Sequence, residues 1–247
     1  MTFFNVIIPS YNAEKWLPRC IETVKKQDYN NYRVVIIDDC STDNSNSVIR
    51  KEIENDDKFS LVVTDKNGGA LNSAAIGIEY ANPEDEEVIV ILDGDDWFSR
   101  KDVLSILDKV YSNNDCLMTY GSYVEYPSKI RGKFSRQLPD HIIKNKTFRS
   151  IPWMTSHIRT FKYKLWKSVR REDILDSNGQ IYRMAGDMPV MFPMLEMAEE
   201  RSFFIKDLLY IYNRTNPLNE DKVNHELQLS IEGEVRKKPI YPRLEDL

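Results

Sequence analysis

Three carboxylates, Asp93, Asp95 and Asp96, fall within four residues at the end of an apolar run, residues 88–92. That run reads as a buried strand, short, β-branched and hemmed in by charge on both sides. Like charges crowded at the mouth of a buried strand repel one another and lose hydration, an arrangement that is costly until a cation joins it. Oxygen-only ligands suit Mg²⁺ or Mn²⁺ rather than Zn²⁺. A hard ion held by a few carboxylates keeps open positions that phosphate oxygens can fill. A turn followed by a helix cap is the other reading of the same cluster.

The elements upstream repeat this pattern. Residues 3–9 form a strand run that exits into Pro9, Ser10, Tyr11 and Asn12, and residues 32–37 form a second that exits into Asp38 and Asp39. A third run, residues 59–64, leads to Asn67, Gly68 and Gly69. Between them lie helical patterns. The first carries Trp16, Leu17, Cys20, Ile21 and Val24 on one face, with Pro18 marking a kink or a late start. The second covers residues 44–55, and a third follows Gly69 with Leu71, Ala74, Ala75 and Ile78 on one side. A capping box over residues 99–102 is expected to open a helix to about residue 111. Strand–helix alternation predicts a parallel sheet with helices on both faces, and such sheets bind ligands beyond the carboxyl ends of their strands. Every strand exit here is polar. Asp38 and Asp39 can accept from a base N–H or a ribose hydroxyl. Asp43 is better suited to bracing its loop, and Gly68 and Gly69 can offer free N–H groups at a helix start.

Composition narrows the class. At 247 residues, with 41% apolar and 11% aromatic side chains, the chain fits one α/β domain with a modest appended portion. A net charge of −5 with both signs mixed does not suggest a nucleic-acid partner. Three widely spaced cysteines, Cys20, Cys40 and Cys116, argue against a disulfide framework and a zinc site, and fit a reducing compartment. No run approaches transmembrane length and the start lacks a signal-peptide pattern. The expectation is a soluble cytoplasmic protein, free to work at the periphery of a membrane.

The runs VIIPSYN, VVIIDDCSTDNS, DKNGGALNSA and ILDGDDW, in that order and spacing, resemble the nucleotide-sugar half of family 2 glycosyltransferases of GT-A fold. The resemblance implies a Rossmann-like, mostly parallel sheet flanked by helices, with a C-terminal acceptor-binding portion. It also implies inverting transfer from a nucleoside-diphosphate sugar, UDP being the commonest carrier, to a hydroxyl of a glycan, lipid-linked or protein-linked acceptor. By that resemblance Asp39 binds the base, and Pro9, Tyr11 and Asn67 line the nucleotide pocket, with Asn12 and Gly68 beside them. Asp93 lies on the ribose side, and Asp95, together with Asp93, holds the Mn²⁺ or Mg²⁺ ion that bridges the diphosphate, with Asp96 close by. Where many relatives carry an arginine, this chain has Leu71 beside Asn72.

The second half speaks less directly. Residues 128–149 are basic and aperiodic, a solvated loop or a segment that covers the diphosphate or recruits an anionic acceptor. Trp153, His157, Phe161, Leu165 and Trp166 suggest an amphipathic stretch, with His157 a packed side chain or an acceptor contact. Asp187 stands at a helix start, where an N-cap is the plain reading. In the resembled family an acid at this point is the catalytic base, usually the second of a Glu-Asp pair; here Gly186 precedes Asp187. Arg214, after a tyrosine-rich strand, is a candidate diphosphate contact, and His225 a candidate metal or phosphate contact.

The division expected is a donor half over residues 1–112, an acceptor and base half over 113–232, and an extended tail over 233–247 that packs on the domain or on another subunit of a homo-oligomer. Two alternatives stay open. A sugar-phosphate nucleotidyltransferase would need a glycine-rich, basic first loop where Pro9 to Asn12 stand. A non-catalytic nucleotide-sugar-binding protein would bind donor without turnover.

Overall fold

A computed structural model describes residues 1–219 and 225–246. Four parallel strands, β1 (Phe4–Ser10), β2 (Tyr32–Asp38), β3 (Phe59–Val63) and β4 (Val88–Ile91), alternate with α1 (Leu17–Lys25), α2 (Ser45–Ile53) and α3 (Ala70–Ala81). Near-continuous Val and Ile runs form β1, β2 and β4 because both of their faces are buried, whereas β3 at the sheet edge is part-exposed. Pro18 sits in the first turn of α1, so it produces a late start rather than a kink.

Beyond β4 the chain adds β5 (Trp97–Phe98), α4 (Val103–Asn113), β6 (Met118–Gly121), β7 (Tyr123–Tyr126) and α5 (Asp140–Lys144). There follow β8 (Ser156–Lys162), α6 (Tyr163–Lys167), α7 (Met188–Ala198), β9 (Ser202–Phe204), β10 (Tyr210–Asn213) and α8 (His225–Val235). The main sheet has the order β3-β2-β1-β4-β8-β6-β9, and β8 runs antiparallel to both of its neighbours. Residues from both sequence halves therefore share one sheet. A second sheet, β5-β10-β7, sits beside it.

One apolar cluster joins α3 and α7 to one face of the main sheet, and another joins α1 and α4 to the other. Within the second, Thr160 of β8 holds a buried hydroxyl cluster: its Oγ1 lies 2.8 Å from Tyr111 Oη and 2.6 Å from Thr119 Oγ1. Behind α7, Arg149 and Glu196 form a buried ion pair with contacts of 2.5 and 2.8 Å. Tyr241 N–H donates to the same Glu196 carboxylate at 3.1 Å.

Three expectations need correction. No capping box forms at residues 99–102: Ser99 Oγ donates to Leu208 O, and the Asp102 carboxylate is taken by Arg100. The stretch read as amphipathic is instead β8 followed by α6. The tail expected from residue 233 begins inside α8, and its Tyr241 docks on α7 of the same chain. Among the described residues no helix is long and apolar enough to cross a membrane.

Candidate active site

The carboxyl edge of β1, β2 and β4 gathers the polar exits into one rim. Gly94 N–H donates to Pro9 O at 2.9 Å, fastening the acidic turn to the end of β1. A Cβ at Gly94 would lie 2.8 Å from Ser10 Cβ, so the close approach needs glycine. The Asn12 side-chain oxygen accepts from Thr42 N–H at 2.7 Å, and Ser41 and Ser45 hydroxyls accept from Asn12 and Ala13 N–H groups. Asn12, expected among the donor contacts, thus spends its amide on knitting the two loops together. Tyr11 beside it is exposed on the rim. Asp43 braces this loop as expected, accepting from Ser45 and Glu14 N–H groups.

Asp39 is 2% exposed and accepts from Gly68 N–H at 3.0 Å, Gly69 N–H at 2.8 Å and Thr64 Oγ1 at 3.0 Å. It therefore caps the start of α3 from a neighbouring strand. The expectation that Gly68 and Gly69 present free N–H groups is corrected: a fixed carboxylate of the protein already satisfies them. Asn67 donates to Asp39 O at 3.3 Å and accepts from Arg183 Nη2 at 2.8 Å. Asp38, also buried, is spent on Ser41 N–H and Asn46 Nδ2.

The three carboxylates that end β4 have different surroundings. Asp96 is buried, accepting from Tyr210 Oη at 2.7 Å and from Asn213 N–H at 2.7 Å. Burial first, then the charges of Asp95 and Asp93, push its carboxyl well above the usual range. Asp95 is part-exposed and accepts from Asn216 Nδ2 at 2.7 Å. Asp93 accepts from Tyr210 Oη at 3.1 Å and pairs with Arg159 Nη2 at 3.7 Å. Beneath this loop Cys20 is buried, its thiol pushed up by burial and then by Asp96, Asp95 and Asp93.

Asp187 is the N-cap of α7, where its side chain accepts from Met188 N–H at 3.1 Å. Its second oxygen lies 3.3 Å from Arg159 Nη1, so one guanidinium of β8 reaches both Asp93 and Asp187. Asp93 and Asp187, read as belonging to opposite halves of the chain, therefore meet. The missing acid at position 186 has a steric reason: a Cβ there would lie 2.9 Å from Leu71 Cβ. Leu71 and Gly186, the two positions at which the resemblance implied other residues, lie against each other.

His157 is a packed side chain. It is buried, its ring stacked on Tyr210 at 4.2 Å, and burial followed by the Arg159 charge holds its pKa well below the usual value. Arg214 stands just beyond β10, its N–H donating to Tyr126 O and its guanidinium 5.6 Å from the Tyr212 ring centre. His225 opens α8, and its side chain lies outside the described residues.

Sequence reasoning missed Arg159, Tyr210, Asn213 and Asn216. The last three reach back 114 to 121 positions to the acidic turn. A Tyr- and Asn-rich run after a short strand was the available signal.

Residues 5–170 match the family described as Glycosyl transferase family 2. The chain is 27% identical over 220 residues to the glycosyltransferase GlyG of Streptococcus pneumoniae, covering 85% of this chain and 70% of that protein. It is 28% identical over 231 residues to the poly(ribitol-phosphate) beta-N-acetylglucosaminyltransferase TarS of Staphylococcus aureus, covering 89% of this chain. The match spans about a third of TarS, 35% of its length. The crystal structure of S. aureus TarS 1–349 in complex with UDP-GlcNAc superposes with a TM-score of 0.68 at 19% identity, covering 90% of this chain and 62% of that one. The mannosyltransferase PcManGT of Pyrobaculum calidifontis, in complex with GDP-Man and Mn²⁺, superposes at 0.61 with 16% identity, covering 96% and 65%. These structural likenesses establish the shared GT-A architecture.

Proposed function

The chain belongs to glycosyl transferase family 2, and on that premise we propose an inverting transferase that moves a sugar from a nucleoside diphosphate to an acceptor hydroxyl. The observation that carries the reading is the meeting of Asp93 and Asp187 on either side of Arg159, beside Asp95. UDP is the carrier we assign, in keeping with the UDP-GlcNAc bound by the TarS structure. Residues 1–112 supply the donor side and residues 113–232 the acceptor side and base.

The nucleoside lies along the exits of β1, β2 and β3, against Pro9, Tyr11, Asp39 and Asn67. A base N–H would be a further donor to an Asp39 carboxylate that already organises the 67–69 turn. Asn12 and Gly68 shape this pocket through loop contacts, and Arg214 faces the diphosphate.

Among the described residues no three His, Cys, Asp or Glu side chains converge as a cage. The donor set is instead one part-exposed carboxylate, Asp95, with Asp93 near it, all hard oxygen. That set fits Mn²⁺ or Mg²⁺, which Asp95 would hold with Asp93 beside it. When bound, the ion supplies Lewis-acid neutralisation of the leaving diphosphate. Asp96 is the least accessible of the three, buried with Tyr210 on one oxygen and Asn213 on the other.

Asp187 takes the proton of the acceptor hydroxyl. The acceptor oxygen forms its bond to the anomeric carbon from the far face as the carbon–oxygen bond to the diphosphate breaks. The nucleoside diphosphate departs with that electron pair, and the anomeric configuration inverts.

A thermal-shift screen of nucleoside diphosphates and nucleotide sugars, with and without Mn²⁺, tests the reading. A ligand at 100 times its Kd stabilises by about 2.7 kcal/mol. Flat melting curves across all nucleotides would refute it.

A further inference from the structure

We infer that Arg159 is a positioning residue for the transfer, tethering Asp187 to Asp93 so that the base stands at a fixed reach from the donor. The inference rests on the proposed reading of Asp187 as the base. Arg159 lies on β8 opposite Ile91 of β4, two residues before Asp93. Its side chain is 15% exposed, and Nη2 and Nη1 lie 3.7 Å from Asp93 Oδ2 and 3.3 Å from Asp187 Oδ2. The two carboxylates stand on separate elements, one after β4 and one at the start of α7.

Asp93 has independent support, since the Tyr210 hydroxyl donates to the same oxygen at 3.1 Å. Asp187 is held less firmly. Its other oxygen accepts from the N–H of the very next residue, Met188, at 3.1 Å, a local contact that comes from its own helix start rather than from a separate element. Orientation of Asp187 therefore depends on the guanidinium. A planar fork can address two carboxylates at once, whereas an ammonium is a single point charge. Misplacing a reacting group by about 1 Å can cost on the order of 100-fold in rate.

Steady-state kinetics of Arg159→Gln, Arg159→Lys, Asp187→Asn and the double variant Arg159→Gln/Asp187→Asn, alongside UDP binding by calorimetry, test this. Arg159→Gln should lower kcat by roughly 10- to 100-fold with UDP affinity within about threefold of wild type, because Asp93 keeps Tyr210. Arg159→Lys should fall between the two, and it carries the test if the glutamine variant does not fold. In the double variant the glutamine should add almost no loss beyond Asp187→Asn alone, since a residue acting through the base has nothing left to position. A near-normal kcat in Arg159→Gln, or losses that multiply fully in the double variant, overturns the inference and leaves the base assignment intact. Near-normal transfer by Asp187→Asn would instead remove the base assignment, and this inference with it.

Discussion

Replacing Asp39 by alanine should damage the protein's architecture as well as its recognition of nucleoside. The carboxylate is 2% exposed and receives three donors, the Gly68 and Gly69 N–H groups and the Thr64 hydroxyl, at 2.8 to 3.0 Å. Hydrogen bonds to a charged acceptor contribute about 1.5–3 kcal/mol each. Hydration regained by the released donors offsets part of that sum, leaving a loss of roughly 2–4 kcal/mol. For a chain of this length about 2–4 °C of melting temperature accompanies each kcal/mol, so calorimetry should register a fall of about 5–15 °C. Asp39→Asn should suffer comparably, because its amide would turn N–H groups toward one of the glycine N–H donors. UDP, CDP and GDP titrations of the same variant should lose discrimination among bases. A melting temperature within about 1 °C of wild type would refute the capping argument. Retained discrimination would move the base pocket elsewhere.

Asp95→Ala should abolish the Mn²⁺ dependence of UDP binding while leaving Asn216 the loss of one hydrogen bond, and unchanged Mn²⁺-dependent affinity in calorimetry would sink the metal assignment. Arg149→Met should destabilise by about 3–5 kcal/mol by stranding the buried Glu196 carboxylate, whereas the paired Arg149→Met/Glu196→Met change should recover most of it; denaturant melts read both. Native thiol titration at pH 8 should count one reactive cysteine, the part-exposed Cys40, since burial pushes the Cys116 thiol up to about 12 and raises that of Cys20 well above the usual value. UDP should slow that reaction, because Cys40 adjoins Asp39; three fast thiols would contradict the packing.

Much of the fold over residues 1–112 was legible because its signals are local. Runs of Val and Ile declare strands buried on both faces, and the residues after each strand declare the rim. The acidic turn was visible for the same reason, but the fate of each carboxylate was not. Asp96 reads like its neighbours, yet it is buried and bonded to Tyr210 and Asn213, which lie more than a hundred residues away. Gly68 and Gly69 read as an open anion cradle because nothing local reveals that Asp39 fills it. Arg159 was invisible because its strand alternates polar and apolar residues between aromatic neighbours. Its meaning comes from an antiparallel register with β4 that no local pattern encodes. The pairing of Leu71 with Gly186 is likewise a fact of packing: each residue looks like an isolated departure until the two are seen in contact.

The hydroxyl cluster at Thr160 has a consequence for the neighbouring position. Successive side chains of a strand point to opposite sides, so a slip of one place between β4 and β8 would bury the guanidinium in oil and send a threonine among the acids. Hydrocarbon alone resists such a slip poorly, because Val and Ile fit almost any socket of similar size. Thr160, locked to Tyr111 and Thr119 by bonds of 2.8 and 2.6 Å, behaves as a detent that accepts a single setting. Loosening that catch on the silent side of the sheet would disorder the reacting side without touching it.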